Sequence, residues 1–115
     1  IAQAMRDAVN SRRRIVTTNL VVAETHALIM RRIHRTAAAA FLREVMRAPN
    51  VVVSSSPELE ASASTDWLDR LEDRDFSLTD AVSFSVMKER RIREALALDH
   101  HFAVAGFSVI PGERG

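Results

Sequence analysis

The chain has 115 residues, which is the size of one hydrophobic core, so we expect a single domain over residues 1–115. Hydrophobic residues make up 47% of the sequence and charged residues 27%. This composition is typical of a folded globular protein and argues against a disordered chain. No apolar run approaches the ~20 residues of a membrane helix, which argues against a membrane-spanning chain. The absence of cysteine excludes disulfide scaffolds, thiolate nucleophiles and cysteine-bound metals, and it fits a location in the reducing cytoplasm.

The net charge of +1 conceals an uneven distribution of charge along the chain. Nine arginines and three acids lie in residues 1–57, whereas eight acids and two arginines lie in residues 58–80. The basic half could meet an anionic partner, or it could be an ordinary solvated surface. All three glycines lie among the last ten residues and Lys88 is the only lysine, which excludes a phosphate-binding loop.

Hydrophobic periodicity and helix breakers predict short strands that alternate with helices. Residues 1–13 have the pattern of the last turns of an amphipathic helix, and Thr18 or Asn19 is placed to cap a second helix. The predicted helices cover 20–33, 36–47, 56–71 and 77–91, and the predicted strands cover 15–18, 51–54, 94–98 and 107–110. Such an alternation predicts an α/β fold, a three-layer sandwich with a mostly parallel central sheet.

Glu24 is the first of three acids that stand out by position. It lies in the middle of a predicted helix with Leu20, Ala27 and Leu28 as its neighbours one turn away. In such an apolar stripe a carboxylate is costly unless it is paired or bound to a cation. We therefore expect either a ligand role or an internal salt bridge, for instance to Arg31.

Asp80 and Asp99 are the other two acids. Ser77 and Asp80 form the S-x-x-D pattern of a helix capping box, and Asp99 ends a predicted strand where it could also cap the following turn. The edge beyond the strand ends is where α/β sheets bind ligands. If the three carboxylates converge there, they repel one another unless a cation lies between them, and oxygen ligands suit Mg²⁺ or Mn²⁺.

Three segments carry a family resemblance: TTNLVVAETHALIMRR at 17–32, DRDFSLTDAVSFSVMKERRI at 73–92 and LALDHHFAVAGFSVIP at 96–111. Together they resemble the PIN domain, specifically the ribonuclease toxins of VapBC toxin–antitoxin pairs. The resemblance covers about 15–111, and the motifs occur in the family's order. It implies that Glu24, Asp80 and Asp99 are catalytic and hold the metal, with Thr79 as an auxiliary hydroxyl.

The resemblance also implies a function. The expected activity is that of a toxin endoribonuclease that hydrolyses RNA phosphodiester bonds with Mg²⁺ or Mn²⁺. The expected partners are RNA, a cognate antitoxin protein and a second copy of the toxin. The alternative is a catalytically silent interaction module of the same fold, in which one acid caps a helix and two form internal ion pairs.

One feature of the family pattern is absent from these 115 residues. The family begins with a strand at the centre of the sheet that ends in an aspartate, whereas this sequence begins at Ile1 within a predicted helix. We therefore expect a sheet without its central first strand and three of four acidic ligands. The expected consequence is an incomplete fragment with weak or no nuclease activity.

The remaining candidates are basic and aromatic residues. Arg31, Arg32 and Arg35 could contact RNA phosphates through charge alone, or could form a solvated face. The four histidines lack the spacing of a metal-binding motif, so they should pack or face solvent: His26, His34, His100 and His101. The single tryptophan, Trp67, should pack an amphipathic helix.

Overall fold

Two β-branched segments form the first pair of strands. Strand β1 (Val16–Thr18) and strand β2 (Val51–Val53) are parallel, and Val16 pairs with Val51 and Thr18 with Val53. A parallel pair needs a long crossover connection, which is supplied by helix α1 (Asn19–Arg32) and helix α2 (Arg35–Val45). The computed structural model describes residues 14–97, 105 and 108–111, so the predicted helix at 1–13 lies outside the described residues.

Side chains cap both of these helices. The hydroxyl oxygen of Thr18 accepts the backbone N–H of Val21 at 3.2 Å, so Thr18 rather than Asn19 is the cap. Thr18 is 1% exposed, and the last residue of β1 therefore fixes the direction in which α1 leaves the strand. His34 caps α2, because its Nδ1 accepts the backbone N–H of Ala37 at 3.0 Å.

The side chain of Asn50 joins the ends of three elements. Its Oδ1 accepts the backbone N–H of Ile15 at 3.0 Å, and its Nδ2 donates to the carbonyl of Glu44 at 3.1 Å. The backbone N–H of Val51 donates to the carbonyl of Ile15 at 2.8 Å. One amide therefore holds the end of α2 against the start of the strand pair.

The second pair of strands lies in the C-terminal half. Strand β3 (Glu94–Ala97) and strand β4 (Ser108–Pro111) are also parallel. Before them come helix α3 (Pro57–Ala63) and helix α4 (Leu78–Glu89). Helix α3 begins as predicted, with proline in its first turn and the Ser56 hydroxyl accepting the N–H of Leu59 at 3.1 Å.

The predicted helix at 56–71 changes its type in the second half. Regular α-helix ends at Ala63, and the chain continues as a π-helical turn at Ser64–Asp69. A π-helical turn is wider than an α-helical turn and shifts the following side chains around the axis. Here the turn carries Trp67 against α4, with its ring centroid 5.0 Å from that of Phe84. The expectation that Trp67 packs a helix is confirmed.

The described residues fall into two compact units that divide between Ser54 and Ser55. Each unit holds one parallel strand pair and its helices, which confirms an α/β fold with parallel strands. The single domain, the three layers and the absent central strand stay predictions. No helix among the described residues has the length and apolar character needed to cross a membrane.

Candidate functional site

Glu24 lies on an exposed part of α1, not in the apolar stripe expected for it. The buried side chains of this helix are Val22, Thr25 and Ile29, which recur every three or four residues and so share one face. Ala23 and Glu24 are exposed. The expectation of a costly buried carboxylate is therefore wrong, and the side chain is accessible to a solvated ion without opening the core.

Asp80 lies at the start of α4 and takes part in a reciprocal capping box. Its backbone N–H donates to the Ser77 hydroxyl at 3.0 Å, and its Oδ2 accepts the Ser77 backbone N–H at 3.1 Å. The side chain is half-buried, as is that of the preceding Thr79. The capping role of Asp80 is confirmed, and it fixes the orientation of the carboxylate.

Capping does not exhaust what this carboxylate can do. An ionised carboxylate has two oxygens and about four lone-pair sites, so one group can accept a hydrogen bond and also bind a cation. Hydrogen-bonded carboxylates are also the usual form of metal ligands, because the hydrogen bond holds the ligand in place. The two roles considered for Asp80 are therefore compatible.

The structure does not test whether the three acids converge. Asp99 lies outside the described residues, two positions beyond the end of β3. Glu24 and Asp80 belong to different compact units. Within the described part of the chain no group of three His, Cys, Asp or Glu side chains is placed to hold a metal. The three-acid site stays a prediction.

Exposed arginines surround the junction of α1 and α2. Arg31 and Arg32 lie in the last turn of α1, where cations stabilise the negative end of the helix dipole. Arg35 opens α2, whose first turn contains no acid. A cation at the positive end of a helix is unfavourable, so helix electrostatics explain the first two residues but not Arg35.

The histidines of the described chain have structural surroundings. His34 is exposed and uses Nδ1 to cap α2, and His26 is half-buried on α1. These placements match the expectation that they pack or face solvent. His100 and His101 lie outside the described residues.

An aromatic cluster next to Asp80 was not anticipated from the sequence. The Phe84 ring lies 4.9 Å from the Phe76 ring and 5.0 Å from the Trp67 ring, both in edge-to-face geometry. The indole Nε1–H of Trp67 donates to the Ser85 hydroxyl at 3.2 Å. Phe76 and Phe84 lie on either side of the Ser77–Asp80 box in the sequence. This spacing is the one sequence feature that could have indicated the cluster.

Comparison with known proteins identifies related chains. The sequence is 40% identical over 97 residues to the 23S rRNA-specific endonuclease VapC20 of two Mycobacterium tuberculosis strains, which covers 81% of this chain and 70% of the relative. The crystal structure of Mycobacterium tuberculosis VapC20, described as a Sarcin-Ricin loop cleaving toxin, superposes with a TM-score of 0.74. That match has 36% identity and covers 82% of this chain and 72% of the other. No family model matches the sequence.

Proposed function

The chain belongs to the VapC family of PIN-domain endoribonuclease toxins, and from that membership we propose that it cleaves 23S ribosomal RNA with the help of Mg²⁺ or Mn²⁺. The substrate is proposed because VapC20, matched at 40% identity in sequence and 36% in structure, is named a 23S rRNA-specific endonuclease and a Sarcin-Ricin loop cleaving toxin. Ribosomal RNA as the substrate would place the protein in the cytoplasm. We also propose that the fold is a three-layer sandwich, in which helices cover both faces of a mostly parallel central sheet.

The chemistry of the acids supports the choice of metal. Glu24 is exposed, and the capping box holds the Asp80 carboxylate in a fixed orientation. Carboxylate oxygens without cysteine are the ligands that Mg²⁺ and Mn²⁺ prefer. We propose that Glu24, Asp80 and Asp99 hold the ion, with the Thr79 hydroxyl beside them. A bound ion would activate a water molecule and neutralise charge on the scissile phosphate.

The match to the sequence and structure of VapC20 is the main support for the proposed RNA cleavage. Removing the metal ion tests whether that cleavage requires it. We expect the natural protein to cut the 23S rRNA of purified ribosomes at one site, mapped by primer extension. A chelator should lower the cleavage rate at least ~100-fold, the loss that corresponds to ~3 kcal/mol of transition-state stabilisation. Millimolar Mn²⁺ or Mg²⁺ should restore it. Unchanged cleavage in the chelator would contradict the metal requirement.

We further propose that Arg31, Arg32 and Arg35 contact RNA phosphates. All three are exposed at the junction of α1 and α2. Residues 14–54 contain six arginines and only two acidic residues, so this part of the chain carries a net positive charge. Arg35 supports this role most strongly, because its position at the start of α2 costs helix stability and needs another explanation.

Replacing all three arginines by glutamine should weaken RNA binding in a salt-dependent way. Each phosphate contact to single-stranded RNA contributes ~0.7 to the slope of log affinity against log salt, so the slope should fall by about 2. Fluorescence anisotropy in a chelator measures binding without cleavage. The matched control replaces Arg70 and Arg74, which are exposed in an acid-rich stretch, and should keep the slope. An unchanged slope in the triple variant would contradict the proposed contacts.

Family membership also supports protein partners. We propose that a cognate antitoxin and a second copy of the chain bind this protein. The catalytically silent alternative has one observation in its favour, the capping box that gives Asp80 a structural role. The two functions differ in what a substitution at Asp80 does to the rate of RNA cleavage.

A further inference from the structure

Trp67 combines an unusual backbone conformation with a specific side-chain hydrogen bond. It is the fourth residue of the π-helical turn Ser64–Asp69, and such turns are rare and often occur near functional sites. Its Nε1–H donates to Ser85 at 3.2 Å, and its ring packs edge-on against Phe84. Both partners belong to α4, so the indole holds that helix through two adjacent residues.

The helix that Trp67 holds is the one that begins with Asp80. Phe84 follows Asp80 by one helical turn and is fully buried. Phe76, which is 8% exposed, precedes the Ser77 cap directly and packs against the same Phe84 ring. In the sequence, the capping box therefore lies between two buried aromatic residues, Phe76 and Phe84, whose rings contact each other. Phe84 thus contacts the residue that precedes the box and belongs to the helix that the box begins.

We propose that Trp67 is a positioning residue that sets the place of the Asp80 carboxylate through Phe84 and Ser85. This inference rests on the proposed function for its catalytic meaning. Its structural content is independent of that function, since it concerns how firmly the first turn of α4 is held. The indole is suited to this task because its ring packs against Phe84 while its N–H fixes the ring relative to Ser85.

The test uses Trp67→Phe, which keeps an aromatic ring and removes the N–H donor, and Ser85→Ala, which removes the acceptor. We expect both variants of the natural protein to lose protection of the Asp80 amide against hydrogen exchange by ~5-fold, the equivalent of one hydrogen bond. We also expect the dissociation constant for Mn²⁺, measured by calorimetry, to rise about 10-fold, the lower end of the loss seen for outer-shell partners. The double variant should be no worse than either single one, because both remove the same bond.

The matched control is Val45→Ala, which removes a fully buried side chain in the other compact unit. It should lower the free energy of unfolding but leave the hydrogen-exchange protection of the Asp80 amide unchanged. If Trp67→Phe leaves the Asp80 amide unchanged, or if Val45→Ala has the same effect on it, the positioning role is overturned. If the amide responds but the unsubstituted protein does not bind Mn²⁺, the positioning of Asp80 is supported and the proposed metal site is overturned.

Discussion

Asp80→Asn is expected to lower the rate of RNA cleavage at least ~100-fold, while changing the free energy of unfolding by less than ~1 kcal/mol. Asparagine keeps an oxygen that can accept the Ser77 backbone N–H, the bond that measures 3.1 Å with the native carboxylate. The cap is therefore retained, and the negative charge that a divalent ion needs is lost. Glu24→Gln should behave in the same way, because the side chain is exposed and little packing depends on it.

A matched cap variant separates ligand loss from helix loss. Ser56→Ala removes the side-chain cap of α3 and should cost ~1 kcal/mol of stability with normal cleavage. Urea denaturation and primer extension on ribosomes measure the two quantities side by side. Cleavage that survives Asp80→Asn would mean that Asp80 serves only as a cap, and would favour the silent interaction module.

Phe84→Ala is expected to have the largest effect on stability, a loss of ~3–5 kcal/mol. The Phe84 side chain is fully buried, and its ring makes edge-to-face contacts with Trp67 and Phe76. Such pairs contribute ~0.5–1.5 kcal/mol each beyond the burial of area. Since domains are stable by only ~5–15 kcal/mol, the variant should be close to unfolded at physiological temperature. Urea denaturation followed by circular dichroism measures the loss.

The control for this prediction lies on the same helix. Leu78 is 42% exposed, so Leu78→Ala should cost less than ~1 kcal/mol. A loss below ~1.5 kcal/mol for Phe84→Ala would contradict the view that Phe84 is the centre of this core. Equal losses for the two variants would contradict it as well.

Local chemistry explains what could be predicted from the sequence. The Ser-Pro-Glu string at 56–58 predicts a helix start because serine caps, proline suits the first turn and acids favour the positive end, and α3 begins at Pro57. The Ser77–Asp80 box was recognisable for the same reason. The short β-branched runs predict strands within a residue or two of β1 and β2. These features depend on neighbours within one turn of the chain.

The features that escaped prediction depend on longer distances. Helix α1 is apolar on several sides, so its sequence does not reveal which stripe faces the core, and Glu24 was placed in the wrong one. The π-helical turn has no local signature, and the contacts of its Trp67 side chain are with residues about eighteen positions away. The meeting of Glu24, Asp80 and Asp99 is likewise a question of tertiary structure, and it stays a prediction.

The position of Trp67 makes the protein its own optical probe. It is the single tryptophan in a chain without tyrosine, so ultraviolet-excited emission reports on the unit after Ser54 alone. Far-ultraviolet circular dichroism, by contrast, detects the helices of both units. Thermal transitions that coincide by the two signals would mean that both units melt as one cooperative structure. Transitions that separate would mean that the chain contains two folding units, and neither measurement needs a label.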